Sequence, residues 1–224
     1  MDDNTRHSQG QPPGGGPANP RAQYAEAARG VIAELNELGY PVGTVQQLRT
    51  LPGQPKYPDA IPVLLKWLPQ VSYLGVKLDI INALDASWAR SMVVEPLLGL
   101  FRELGHTPLW PDDQVQWALG DVLRSLARDD IADELLQIAA DSGYGRNRQS
   151  IVRGLAKLRD ARVPGVLIEL LRDEDDAIVA NAAGSLGRSK TSMPEARQAL
   201  ENLHAHPSAL VRREASKALV KLAQ

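Results

Sequence analysis

Residues 160–187 read DARVPGVLIELLRDEDDAIVANAAGSLG, and they contain two helical patterns separated by the acidic run RDEDD. The first pattern is strongly apolar and has Pro164 in its opening turn, where a missing N–H leaves no helical hydrogen bond unmade. The second pattern has Ile178, Ala182 and Leu186 at four-residue intervals, which places them on one helix face. The stretch therefore predicts two helices joined by a short charged turn.

The second pattern recurs along the chain. It consists of an apolar residue, a second residue four positions later and a leucine four positions after that. Its copies are Val76, Ile80 and Leu84; Val115, Leu119 and Leu123; Asn147, Ile151 and Leu155, a weaker match; Ile178, Ala182 and Leu186; and Val211, Ala215 and Leu219. They follow one another at intervals of roughly 30–40 residues, which is typical of stacked helix pairs.

Another apolar helical pattern precedes each copy. Four of these five preceding patterns carry a proline, which we expect to lie in the first turn: Pro62, Pro96, Pro164 and Pro194. The sequence therefore predicts an all-α fold, an α-solenoid of about five antiparallel helix pairs.

The chain divides into three parts on the same criteria. Residues 1–20 are rich in Pro and Gly and nearly free of apolar side chains, so we expect a disordered tail. Residues 21–57 contain a helical pattern that ends at Gly39 and a short second helix that begins after Thr44. We interpret them as an N-terminal helical cap that closes the end of the array, which spans residues 58–224.

The repeated unit resembles the HEAT repeat family. A proline opening the first helix, an acidic turn, and a second helix with an apolar-Arg pair and a small residue carry the resemblance. Residues 160–187 are the clearest copy, and Val211-Arg212 with Ala215 match the second half. Arg148 has the register of Arg212, whereas Lys77, Gln116 and Val179 depart from it at the same position. The resemblance implies the fold and says little about function.

Composition and charge narrow the classes of function. Cysteine is absent, which suits a reducing cytoplasm, and no apolar run is long enough for a membrane helix. The N-terminus lacks the apolar core of a secretory signal. A formal net charge of −2 disfavours non-specific nucleic-acid binding. We expect a cytoplasmic monomer that does not bind membranes.

No constellation of residues indicates catalysis, a metal site or a cofactor site. His204 and His206 lie in a turn without cysteine or a close carboxylate, so we do not expect zinc. The run Asp173-Glu-Asp-Asp176 is expected to cap the second helix rather than bind a cation. We therefore expect no enzyme.

The second helices are expected to line the concave face of the solenoid. Positions six and ten residues after the start of each apolar stripe then form two ladders across that face. The ladders are neutral or acidic in the first two pairs and basic in the last three. The predicted partner-binding residues are Trp117, Arg153, Lys157, Arg188, Lys217 and Lys221.

The basic ladders favour a scaffold that binds another protein, such as one with an acidic segment. A solvated polar face explains the same residues, and Trp117 is explained by packing between repeats or by a binding anchor. Two further hypotheses follow from HEAT-like relatives. One is nucleic-acid binding like that of alkylpurine DNA glycosylases, and the other is a bilin lyase or chaperone.

Overall fold

The computed structural model describes residues 19–53, 55–106, 109–189 and 193–223. Over these ranges the chain is helical, and none of these residues lies in a β-strand. The predicted tail falls outside the described residues except for Asn19 and Pro20. None of the described helices is both long and apolar enough to cross a membrane.

Eleven α-helices lie in the described ranges. They are α1 (Pro20–Glu37), α2 (Ala60–Trp67), α3 (Leu74–Leu84), α4 (Arg90–Glu103), α5 (Asp112–Leu126), α6 (Ala132–Ala140), α7 (Gln149–Gly154), α8 (Val163–Leu170), α9 (Asp176–Ser189), α10 (Pro194–Asn202) and α11 (Ala209–Leu222). From α2 onward they form five successive pairs within the described part of the chain, which confirms the predicted all-α solenoid.

The helices stack in two layers. The second helices of the pairs (α3, α5, α7, α9 and α11) pack side by side in chain order, and α9 and α11 share the most extensive contact. The first helices (α2, α4, α6, α8 and α10) contact one another more sparsely. Because the second helices are more closely spaced, they form the inner layer, toward which the array curves.

The apolar stripes form the core between the layers. Every residue of the five stripes is buried except Asn147 and Leu219, which are half-buried. Removing a buried leucine or isoleucine side chain from such a core costs about 2–5 kcal/mol. The stripe pattern thus accounts for both the helices and the way they stack.

The N-terminal segment packs against the first pair. Helix α1 contacts α2 and α3, and a 3₁₀ helix (Val45–Thr50) packs against α3, where the sequence predicts an ordinary short helix. Gly39 ends α1 with a φ of 86°, as its predicted role in the helix cap requires. The division into tail, cap and array stays a proposal.

One proline lies where the sequence analysis did not expect it. The prediction that Pro96 opens a helix is wrong, because α4 begins at Arg90 and Pro96 lies in its interior. Pro96 is on the exposed side of α4. There water can hydrate the backbone carbonyl that loses its N–H partner.

One register position binds backbone carbonyls in three pairs. The Gln116 side chain is fully buried and donates from Nε2 to the carbonyls of Phe101 (2.9 Å) and Gly105 (2.8 Å). Arg148 donates from Nη1 to the Ala139 carbonyl (2.8 Å). Arg212 donates from Nη1 to the His206 carbonyl (2.6 Å). In these three pairs the position therefore supplies a donor to the turn or helix end that precedes the second helix.

Two contacts from this position reach the following repeat. The Gln116 Oε1 atom accepts a hydrogen bond from Asn147 Nδ2 at 2.8 Å. The guanidinium of Arg148, only 2% exposed, donates from Nη2 to Asp173 Oδ2 at 2.5 Å. The second and third pairs are thus linked by a neutral hydrogen bond, and the third and fourth pairs are linked by an ion pair.

The acidic turn before α9 caps that helix. Asp175 Oδ1 accepts the backbone N–H of Ala177 at 2.7 Å, as the sequence analysis predicts for this run. Burial opposes ionisation of Asp175, but hydrogen bonds from Arg146 and Ala177 outweigh it and lower its pKa.

Two glycines bring inner helices unusually close together. A Cβ atom added at Gly187 would lie 2.6 Å from the Cα of Ala218, on α11. A Cβ atom added at Gly154 would lie 3.3 Å from the Cα of Arg124, on α5. The missing side chains allow the close spacing of the inner layer.

Candidate functional site

The inner layer carries two depressions on its exposed face. The first, about 190 Å³, lies between α3 and α5 and is lined by Asp85, Trp117 and Asp121, among others. The second, about 300 Å³, crosses α7, α9 and α11. We call them the acidic groove and the basic groove. A wider depression of about 540 Å³ lies beside Tyr24 and Asp79, where α1 meets α3.

The basic groove is built around Arg153 on α7 and Arg188 on α9. Arg153 is exposed and makes no hydrogen bond or ion pair within the described ranges. Arg188 donates from Nη2 to Ser185 Oγ at 2.9 Å. Burial lowers the pKa of Arg188, and the positive charges of Arg153 and Arg124 lower it further, against the opposing effect of Glu214. The groove thus holds positive charge that a bound carboxylate would stabilise.

Glu214, on α11, is the carboxylate that lines the basic groove. Its Oε1 atom accepts hydrogen bonds from Lys217 Nζ (2.9 Å) and Arg213 Nε (3.3 Å). Partial burial opposes ionisation of Glu214, but Lys217 and Arg213 outweigh it and lower its pKa. Glu214 is therefore already bound by two cations, Lys217 and Arg213, other than the Arg153 and Arg188 pair of the groove. Lys217 is in turn occupied by Glu214.

Gly184 forms part of the floor of the basic groove. A Cβ atom added there would lie 3.5 Å from Arg188 Nη1 and 3.7 Å from Glu214 Oε2. The absent side chain leaves room directly between these two charged groups. A partner side chain can therefore approach Arg188 from the open side of the groove.

Lys157 has a structural role in this geometry. Its Nζ atom donates to the carbonyls of Arg124 (2.8 Å) and Ser125 (2.9 Å), near the C-terminal end of α5. Burial lowers the pKa of Lys157, and the charge of Arg124 lowers it further. A cation at a helix C-terminus stabilises the unpaired carbonyls there, so Lys157, in the 3₁₀ helix that follows α7, joins its repeat to α5.

The six predicted binding residues separate into four groups. Arg153 and Arg188 line the basic groove together, whereas Trp117 lines the acidic groove on α5 and is 43% exposed. Lys157 and Lys217 are engaged within the protein. The fourth group is Lys221, which is exposed near the end of α11 and lines neither groove.

Sequence reasoning missed Asp85 and Glu214. Glu214 lies three residues after Val211, the start of its stripe, and Asn181 has the same offset from Ile178 on α9. Both residues line the basic groove. Adding this third offset to the two ladders would have found them, because residues three apart are neighbours on a helix surface. Asp85 ends α3, beyond the regular pattern.

The described residues contain no group of three or more histidine, aspartate or glutamate side chains placed to hold a metal ion. The two inner grooves instead offer guanidinium, carboxylate and aromatic groups that are exposed on rigid helices. Such an arrangement can bind a partner through ion pairs and ring contacts.

Two comparisons place this architecture among known proteins. Residues 111–186 and 132–220 match the model of a family described as HEAT repeats. A designed armadillo repeat protein in complex with the peptide (KR)4 superimposes with a TM-score of 0.51 at 14% identity, covering 89% of this chain and 99% of that one. The chain is therefore a helical-repeat solenoid of the HEAT and armadillo type. Within that class, residues 111–220 match the HEAT repeat family.

Other solved structures are similar at a lower level. An engineered protein has a TM-score of 0.48 and 17% identity, with 90% of this chain and 96% of that one covered. Computationally designed armadillo repeat proteins for modular peptide recognition have a TM-score of 0.48 and 16% identity, covering 88% and 99%. The comparison with curated proteins found no match.

Proposed function

We propose that this protein is a non-catalytic interaction scaffold that holds a partner protein on its inner, concave face. One observation carries the proposal. The guanidinium groups of Arg153 and Arg188 share a groove, and the carboxylate lining it is engaged by other cations. Exposed, poorly compensated charge on a rigid helical surface favours an oppositely charged partner.

The partner chemistry that fits the basic groove is an acidic segment of another protein. A carboxylate that reaches Arg153 gains a charge-assisted hydrogen bond in a groove that also contains Arg188. Such bonds contribute about 1.5–3 kcal/mol each. Removing one then weakens binding by roughly 10- to 100-fold.

The fold supports a protein partner in general terms only. The designed armadillo protein that shares the fold was solved with a basic peptide, whereas the groove around Arg153 in this chain is basic. The proposal for this chain therefore rests on its own charges. It includes a monomer and a cytoplasmic location, and the absence of cysteine supports the location.

Fluorescence anisotropy with a labelled, glutamate-rich 12-residue peptide tests the proposal. The wild-type protein is expected to bind it, with affinity falling as salt rises. Arg153→Glu is expected to lose roughly 10-fold or more. Arg102→Glu, an exposed change on the outer helix α4, is the matched control and is expected to retain binding.

Unlabelled competitors distinguish the alternatives in the same assay. If the wild type and Arg153→Glu bind the peptide with equal affinity, the basic groove is not part of the binding site. Duplex DNA that binds more tightly than the peptide and has a steeper salt dependence would favour the nucleic-acid hypothesis. Size-exclusion chromatography with light scattering tests whether the protein is a monomer.

A further inference from the structure

The inner face is polarised along the array. At its α3–α5 end, the acidic groove presents Asp85 and Asp121 beside the exposed ring of Trp117. At its α7–α11 end, the basic groove presents Arg153 and Arg188. The two ends lie on the same helix layer, so a single extended ligand can contact both.

Asp85 is the open carboxylate of the acidic groove. Its side chain makes no hydrogen bond or ion pair within the described ranges. Asp121 is engaged, because its Oδ1 atom accepts hydrogen bonds from Arg124 Nε and Ser150 Oγ, both at 3.0 Å. The ammonium of Lys157 lies within electrostatic reach of Asp85, but two carbonyls at the end of α5 hold it. Asp85 therefore remains available to a cation from outside.

Trp117 makes the same groove suitable for a cationic side chain. A tryptophan ring attracts a lysine or arginine through its negative face. The groove is also lined by Asp85, which directly follows α3. A basic side chain entering between α3 and α5 can then meet both a carboxylate and an aromatic face.

The spacing of the helices sets the distance between the two ends. Packed helices lie about 8–10 Å apart. The acidic groove is between α3 and α5, and the basic groove is centred on α9, two and a half helix spacings away. The separation is therefore roughly 20–25 Å, which an extended chain spans in about six to eight residues at 3.3 Å per residue.

We infer that the inner face binds an extended segment of a partner protein with a basic side chain in the acidic groove and an acidic side chain in the basic groove, about six to eight residues apart. The inference rests on the proposed function and specifies the partner. The opposite placement brings like charges together at both ends, which disfavours it. The charges thus determine which end of the segment lies at α3.

A set of synthetic peptides in a glycine–serine background tests the inference by anisotropy. The first peptide carries only a pair of glutamates. The second also carries a lysine seven residues from that pair, and the third carries the lysine three residues from it. The second and third peptides are each made with the lysine before and after the glutamates. The wild type is expected to bind the second about two- to fivefold more tightly than the first. The third is expected to show no gain.

Asp85→Lys separates this effect from general charge attraction. The variant is expected to lose the gain from the distant lysine and to keep its affinity for the glutamate-only peptide. Glu169→Lys, with the same charge change on the outer helix α8, is expected to keep the gain. Circular dichroism of each variant checks that it is folded.

Three results would overturn the inference. A gain that does not depend on lysine spacing, or one that survives in Asp85→Lys, would show that the acidic groove does not select the segment, while the proposed function stands. Failure of every peptide to bind the wild type would remove the proposed function as well.

Discussion

Replacing glycine by alanine is expected to change stability in opposite directions at Gly187 and Gly99. Both residues lie inside α-helices, α9 and α4. A Cβ atom at Gly187 would lie 2.6 Å from the Cα of Ala218 and 2.9 Å from its Cβ. A Cβ atom at Gly99 would meet nothing within 4 Å. The chemical change is the same, and only the surroundings differ.

The magnitudes follow from these distances. Carbon atoms pack best at about 3.5–4.0 Å, so α9 and α11 must separate by about 1 Å to accept Gly187→Ala. The atom in the way belongs to the backbone and cannot rotate aside, which favours the upper end, about 3 kcal/mol, of the usual overpacking cost. Alanine has a higher helix propensity than glycine, which offsets about 1 kcal/mol of this cost. The net loss is about 2 kcal/mol, whereas Gly99→Ala is expected to gain about 0.5–1 kcal/mol.

Thermal and urea unfolding followed by circular dichroism measure both variants. For a chain of this size, Gly187→Ala is expected to lower Tm by about 4–8 °C, and Gly99→Ala is expected to raise it by about 1–4 °C. A Gly187→Ala protein as stable as the wild type would refute the close contact between α9 and α11. A destabilised Gly99→Ala protein would refute the open surroundings of α4 at that position.

Three further predictions concern polar contacts within and between repeats. Gln116→Ala leaves the buried Phe101 carbonyl and the partly buried Gly105 carbonyl without this donor and is expected to lower the free energy of unfolding by about 2–4 kcal/mol, measured by urea denaturation. Arg148→Ala removes the ion-pair partner of Asp173, whose side chain is nearly buried, and is expected to cost about 3–5 kcal/mol in the same measurement. Replacement of both residues by apolar side chains is expected to recover much of that loss. Hydrogen bonds from Arg162 lower the pKa of Asp160 to about 2, below its value of about 4 in the unfolded chain. Its contribution to stability is therefore present above about pH 4 and lost as the pH falls toward 2, so Tm is expected to drop over that interval and to drop less in Asp160→Asn.

The sequence predicts most of the fold because the stripes report burial directly. Ile80, Leu119 and Leu186 are the middle or last members of three stripes, and each is fully buried in the inner layer. Helix starts are harder to predict, as Pro96 shows. The residues Arg90 to Glu95 lengthen α4 toward the N-terminus without any cap residue to indicate it.

The site is predicted less well because charge alone does not show what a side chain contacts. Lys157 and Arg153 look equivalent in the sequence, yet Lys157 reaches two carbonyls at the end of α5 while Arg153 points to no partner in the described ranges. Lys217 is three residues from Glu214, a spacing that favours an ion pair on any helix. The sequence alone is therefore enough to predict this ion pair. The position of Asp85 required knowledge of how α3 faces α5.

The carbonyl-binding position, which lies on α5, directly before α7 and on α11, bears on how repeats are recognised as related. Gln116, Arg148 and Arg212 differ in charge and length, so a comparison of residue identities counts the first as a departure from the motif. Each nevertheless brings an N–H donor to a carbonyl in the preceding turn or helix end. In these three pairs the position is therefore characterised by reach and hydrogen-bonding capacity rather than by residue type. Val179 has the same position on α9 and carries no side-chain donor, so a search for long donor side chains would find these three pairs and miss the fourth.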